Sequence, residues 1–177
     1  MANKLFESIN LIKLLFTLCF ILLISCSAQP DRENLLAAKV TRVVSGQTVE
    51  VRLTGATEVT KVRITGIDAP DLRQDPWGKE AKSKLSELVL GLPVLIESEL
   101  DRDRFNRING HLWQGQTLIS QQLVKSGCVL ANDGYAHRYS KLLMESQEYA
   151  RLMGYGIWNP QQAMGETPSQ FRLKNNQ

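Results

Sequence analysis

Hydrophobic and polar residues alternate in short runs along the first half of this chain. Ala38 to Val44 and Gln47 to Leu53 read as two strands joined at Ser45-Gly46. In the second, Val49, Val51 and Leu53 share one face, and Thr48, Glu50 and Arg52 the other. Thr54-Gly55 opens another turn, and Lys61 to Thr65 follows as a third strand with Val62 and Ile64 opposed to Arg63 and Thr65. Gly66 interrupts that alternation as a bulge would. Pro93 to Leu100 predicts a fourth strand and Arg107 to Trp113 a fifth.

Between and after these strands the period becomes helical. From just after Pro76 to about Leu90, Ala81, Leu85, Leu88 and Val89 fall on one face, and Gly91 stops the helix. A second helix is expected from about Leu118 to Ser126, with Ile119, Leu123 and Val124 inward and Gly127 as its stop. A third is expected from about Ser140 to Met153, with Leu142, Ser146, Tyr149, Ala150 and Met153 along one stripe. The strands stand too close together for a helical crossover between each pair. The pattern therefore predicts an α+β fold, mainly β: a five-stranded barrel of the oligonucleotide-binding (OB) type with three helices, not a parallel βαβ sheet.

The ends of the chain read differently. Lys4 and Lys13 precede an apolar run from Leu14 to Ile24, eleven residues long. That length suits a secretory leader and falls short of the ~20 residues needed to span a bilayer. Leu23-Ile24-Ser25-Cys26 ends the run and resembles a bacterial lipobox, with cleavage before Cys26 and a lipid on its sulfur. The expected layout is a lipoprotein-type signal peptide over residues 1–25, a tether over 26–36, one domain over 37–160 and a disordered polar tail over 161–177. This predicts an exported, monomeric protein, anchored in a membrane through Cys26 and facing the periplasm or cell exterior. Once Lys4, Lys13 and Glu7 leave with residues 1–25, the formal charge falls from +3 to +2. So small an excess is no argument for nucleic-acid binding by bulk charge, and any phosphate site must be local. Cys19 would leave with the leader and Cys26 would be acylated, so Cys128 stays as a buried, inert thiol in a disulfide-free fold.

The candidate chemistry begins at Lys61-Val-Arg-Ile-Thr-Gly-Ile-Asp-Ala-Pro-Asp71. Arg63, Asp68 and Asp71 lie within nine residues at the end of a strand. A cation for phosphate, an acid for a metal and an acid to activate water form a kit for cutting a phosphodiester. A solvated strand end followed by a loop is the plainer alternative. A second basic cluster, Asp101-Arg-Asp-Arg-Phe-Asn-Arg107, precedes the fifth strand and by itself reads as a self-compensating charged loop. Tyr135 and Tyr139 flank the polar loop Asn132 to Ser140 and are candidates for stacking on bases. His111 and His137 have no metal-ligand spacing and read as structural or surface residues, and Trp77, Trp113 and Trp158 as packing residues.

Taken in order, the Ser45-Gly-Gln-Thr48 turn, the Arg63 to Asp71 stretch, the Gly78-Lys-Glu-Ala81 helix start, the Arg107 loop and Gly156-Ile-Trp158 resemble the staphylococcal nuclease family over about residues 37–160. The resemblance implies a five-stranded OB barrel capped by three helices and a calcium-dependent nuclease acting on DNA and RNA. It implies that Arg63 and Arg107 hold the scissile phosphate, that Asp68 binds Ca²⁺ with a backbone carbonyl at Ala69, and that Asp71 is the general base. Two positions depart from the family pattern. Gln47 stands where the family usually has a calcium-binding Asp, and Asp71 where it usually has Glu. Gln47 offers an oxygen without charge, and ligand charge tunes calcium affinity over decades. Asp71 is one methylene shorter, and a misplacement of about 1 Å costs on the order of a hundredfold in rate. Two function classes are therefore expected: an extracytoplasmic nuclease weakened at these positions, or a non-catalytic OB module binding nucleic acid, another anionic ligand or a protein.

Overall fold

The computed structural model describes residues 35–132 and 134–175. Among them, β1 (Leu35–Ser45), β2 (Thr48–Leu53), β3 (Val59–Ile64), β5 (Pro93–Arg102) and β6 (Ile108–Gln114) build the barrel. β1 pairs antiparallel with both β2 and β5, β2 with β3, and β5 with β6. A parallel pairing of β3 with β6, Val62 opposite Ile108 and Arg63 opposite Asn109, closes the sheet on itself. Register shifts in β1 between Val40 and Arg42 and between Val43 and Ser45 give that long strand the bend a small barrel needs. Short strands β4 (Ile67–Asp68), β7 (Thr117–Leu118) and β8 (Leu130–Ala131), helices α1 (Trp77–Val89), α2 (Ile119–Lys125), α3 (Ser140–Met153) and α4 (Pro168–Asn175), and a short 3-10 helix at Gly156–Trp158 complete the described chain.

Along β2 and β3 the inward residues are as expected, but Thr48 and Thr65, expected on the outer face, are buried too, Thr48 at the start of β2 and Thr65 just past the end of β3, where the adjoining turns cover them. Val49, Val51, Val62 and Ile64 are fully buried inside the barrel beside Val40, Ile96 and Leu112. Each such side chain contributes roughly 1.5–3 kcal/mol by leaving water. Helix α1 buries Ala81, Leu85 and Val89, and α2 buries Ile119, Leu123 and Val124, as expected. Cys128 is a free thiol, and burial raises its pKa, which fits an inert role.

Three further expectations are corrected. Gly66 is not a bulge: it sits in a turn at φ 80°, where the chain leaves the barrel wall between β3 and β4. On α3 the buried residues are Leu143, Ser146 and Ala150, while Tyr149 and Met153 are exposed. The helix packs along a narrow seam, so Tyr149 meets solvent and stands edge-on to Tyr155 with Lys125 over its ring. The tail is not disordered throughout, because α4 occupies Pro168–Asn175. Its start, Thr167-Pro-Ser-Gln170, is a capping box. The Gln170 N–H donates to Thr167 Oγ1, and the Thr167 N–H donates to Gln170 Oε1. The leader, the lipobox and most of the tether lie outside the described residues; among those described, no helix is long and apolar enough to cross a membrane.

A buried carboxylate ties the helical side to the barrel. Glu97 on β5 accepts from Trp113 Nε1 at 3.0 Å, from Tyr139 Oη at 2.7 Å and from Arg138 Nη1 at 3.4 Å. His111 lies opposite Glu97 in the ladder, against the rings of Tyr139 and His137. Burial, then the neighbouring His137 and Arg138, pushes the His111 pKa down to about 3, against about 6.5 for a free histidine. The unfolded chain therefore binds the extra proton first. The stability tied to neutral His111 is complete above about pH 6.5 and is lost as pH falls toward about 3. Melts should show a loss of up to about 2 kcal/mol from this residue between about pH 7 and about pH 5, and His111→Gln should flatten that slope. An unchanged slope in the variant would contradict the assignment.

Candidate nucleic-acid interface

Barrel closure sets the site. With Val62 and Ile64 pointing inward, Arg63 must leave the outer face at the end of β3, beside Asn109 of β6. Arg107 immediately precedes β6. Its loop is built around Asp103, whose Oδ1 accepts from the N–H groups of Phe105 and Arg107 while Oδ2 accepts from Arg107 Nε at 2.7 Å. Burial alone would push the Asp103 pKa up; the hydrogen bonds from Arg107 and Phe105 outweigh it and the net shift is down. Arg107 is thus held in a fixed orientation while keeping other donors for a ligand.

Arg63 and Arg107 open into one cavity of about 490 Å³, rimmed by Arg104, Phe105, Asn132 and Tyr135. Phe105 is 62% exposed and Tyr135 47% exposed. Phe105 lies under the guanidinium groups of Arg104 and Arg107, at 4.8 and 5.1 Å from its centroid. Burial, then the Arg107 charge, pulls the Arg63 pKa below its ordinary value; Asp68 opposes this and Arg172 adds to it. Arginine keeps its charge at neutral pH, so the mutual repulsion is a pull on any anion that enters.

The two carboxylates face other arginines. β4 pairs with β8, Asp68 opposite Leu130, so Asp68 stands beside the Arg63 cavity. Both its oxygens accept from Arg172 Nη2 of α4, at 2.7 and 2.8 Å. The Ala69 carbonyl accepts from Arg172 Nη1 at 3.4 Å. Gln47 Oε1 accepts from the Ala69 N–H at 2.8 Å. Gln47 reaches Ala69 because its turn lies tight on α1: a Cβ at Gly46 would stand 2.6 Å from Ala81 Cβ and 3.0 Å from Ala69 Cβ. Asp71 accepts from Arg73 through its N–H, Nε and Nη2, at 2.9, 2.9 and 3.1 Å. The Arg73 side chain holds the Asp71 carboxyl below its usual range, burial opposing it and the Arg73 N–H adding to it.

The sequence is similar to known nucleases. The sequence model described as staphylococcal nuclease homologue matches residues 61–160. The chain belongs to that family. It is 29% identical over 155 residues, 88% of this chain and 80% of the relative, to an uncharacterized endonuclease of Haemophilus influenzae. It is 26% identical over 140 residues, 75% of this chain and 82% of the relative, to a thermonuclease of Staphylococcus hyicus. A probable staphylococcal-like nuclease, CAN1 of Oryza sativa subsp. japonica, is 32% identical over 98 residues, 55% of this chain and 28% of that protein.

Within this nuclease homologue, the fold brings together Arg63, Arg107 and Tyr135, and sets Asp68 in an adjoining pocket. Tyr139 is corrected: it is 4% exposed, and its ring packs on Trp113 while its hydroxyl donates to Glu97, so it anchors the loop and presents no face to a base. The calcium donor set is tested by its present bonds. Calcium takes six to eight oxygens. Asp68 and Ala69 face the positive Arg172 guanidinium, Gln47 Oε1 is turned to a backbone N–H, and among the described residues no group of three acidic, His or Cys side chains gathers for a metal. As arranged here, the set does not fit calcium. The residues overlooked in the sequence are Phe105, Arg73 and Arg172. Phe105 was legible as one aromatic in a charged loop, and the helix carrying Arg172 was legible in its capping box.

The loop from Asp71 onward rests on the first turn of α1 through Gly78, where an added Cβ would stand 2.0 Å from the Asp71 carbonyl oxygen. Gly78→Ala should therefore displace the loop and cost roughly 1–3 kcal/mol in denaturant unfolding, as overpacking does. Unchanged stability would mean that the loop does not bear on the helix.

Proposed function

We propose that this chain is a nuclease that hydrolyses phosphodiester bonds of DNA or RNA at the Arg63–Arg107 cavity. The observation that carries the reading is the convergence of two guanidinium groups, Arg63 half-buried and Arg107 anchored on Asp103, on a cavity rimmed by exposed aromatic rings, in a member of a nuclease family. Arginine suits both places because its planar fork donates two bonds to phosphate. Phe105 and Tyr135 offer sequence-tolerant stacking to a splayed strand. In the proposed step, water oxygen attacks phosphorus, the water proton passes to Asp71, and the bond to the leaving oxygen breaks with that oxygen taking a proton from solvent. Arg63 and Arg107 take up the charge that grows on the phosphoryl oxygens. For this step the Arg73–Asp71 pair must loosen, since a strongly paired carboxylate is a poor base. The calcium implied by the family resemblance has no fitted donor set in this arrangement, and no step is assigned to it.

Arg63→Ala and Arg107→Ala should each cost about 3–4 kcal/mol of transition-state stabilisation, the range for a lost oxyanion donor. A plasmid-nicking assay reads this; full activity in either variant removes the site. The capping of Asp68 and Asp71 by arginines favours a second reading, an OB module that binds nucleic acid without cutting it. Binding without nicking in the parent protein would select it.

The same proposal places the enzyme outside the cytoplasm, carried by a lipid on Cys26. Cys26→Ser should release the protein from membranes in a fractionation. Retention to the parent's extent would make the apolar segment an uncleaved anchor.

A further inference from the structure

Helix α4 returns from the end of the chain to deliver one side chain, Arg172, into the heart of the site. Its guanidinium is not a casual surface contact. Its Nη2 donates to both oxygens of Asp68 and its Nη1 to the Ala69 carbonyl. Charge-assisted hydrogen bonds of this kind are short and strong. The segment that carries it is also tied down at several points. Gln74 Nε2 donates to the Glu166 carbonyl at 2.6 Å, Lys174 pairs with Glu166, Arg73 lies 5.8 Å from the Phe171 ring, and Pro168 is buried.

Charge counting favours a guanidinium over a divalent ion here. The donor cluster holds one carboxylate, one backbone carbonyl and the neutral amide of Gln47, which is turned to the Ala69 N–H. Before a strand binds, a single positive charge balances that set, and its few protein oxygens fall short of the six to eight that calcium takes. Arg172 also faces outward. Together with Arg63, Asp68, Asn132, Thr167 and Ser169 it lines a pocket of about 360 Å³, and this pocket shares Arg63 and Asn132 with the larger cavity. Guanidinium carries five N–H donors, and the bonds to Asp68 and Ala69 use at most three of them.

We propose that Arg172 is the resident cation of this site: it neutralises Asp68 and, with Arg63, contacts the backbone phosphate of a bound nucleic-acid strand, so that the chain engages phosphate without a divalent ion. The proposal rests on the nucleic-acid reading above, and it makes α4 part of the working domain. The pocket lies beside the Arg63–Arg107 cavity, so one strand spans both, with Arg63 between its neighbouring phosphates.

The test uses the full-length chain, a fluorescently labelled short single-stranded DNA and calcium chloride. In EDTA the parent should bind the strand, and Arg172→Ala should weaken binding on the order of tenfold, the loss of one charge-assisted contact. Arg172→Lys should recover part of it, and thermal melts should show the barrel intact in both variants. Millimolar calcium should leave the parent's strand binding unchanged, and calorimetry should show no tight calcium site. Strand binding that requires calcium in the parent would overturn the proposal. So would an Arg172→Ala variant that gains calcium binding together with tighter strand binding or faster cleavage, because Arg172 would then be a plug in a metal site. Arg172-dependent binding without cleavage sinks the catalytic reading and upholds the cation. Binding indifferent to Arg63, Arg107 and Arg172 alike sinks both.

Discussion

The parallel pairing of β3 with β6 is the constraint on which the rest of this molecule depends. It converts a meandering sheet into a closed barrel, and it does so across a large separation in the chain. Closure removes the open sheet edges that would otherwise seek another strand. It also sets the site, because the strand end that carries Arg63 and the loop that carries Arg107 become neighbours only when Val62 lies opposite Ile108. Loss of that register would separate the two cations before it exposed much of the core.

Around this frame, charge is handled by pairing. Glu97 is nearly buried and is tolerated because Trp113, Tyr139 and Arg138 all donate to it. An unpaired charge at that depth would cost several kcal/mol. The same group fixes the end of the loop that leads from Asn132 into α3, and so the rim of the cavity that Tyr135 and Asn132 supply. Nearer the surface, Asp103, Asp71 and Asp68 each hold one arginine. These pairs differ in consequence. Asp103 orients Arg107 toward the cavity, whereas Arg73 and Arg172 cap the two carboxylates that the family resemblance makes chemical.

That difference bears on how a nuclease fold changes its use. A barrel that keeps its phosphate-facing arginines keeps its attraction for a polyanion, since electrostatic grip on the backbone needs no particular chemistry nearby. A carboxylate captured by a guanidinium loses basicity and loses lone pairs for a metal. The neutral Gln47 and the shorter Asp71 point the same way as the captured carboxylates. Arg172 adds a further cation to the region, and it comes from a helix beyond the part of the chain that matches the family model.

The order of the five barrel strands and of the first three helices, and the inward apolar residues of β2, β3, α1 and α2, were legible in the sequence, as was the clustering of Arg63, Asp68 and Asp71 in one short run. Each is written in local periodicity or in a short run of residues, and a period of two or 3.6 needs no knowledge of distant neighbours. The buried seam of α3 was misread because an amphipathic helix states only roughly which stripe its partner will cover. Tyr139 looked like a stacking ring because a polar loop surrounds it, yet its fate was set by Glu97, 42 residues away. The pairing of Asp68 with Arg172 spans 104 residues and was invisible for the same reason. Local sequence determined which residues could form elements and carry charge. Only the closed barrel and the returning tail decided which distant charges meet, such as Asp68 with Arg172 and Glu97 with Arg138, because ion pairing depends on distance in space, and chain separation does not report it.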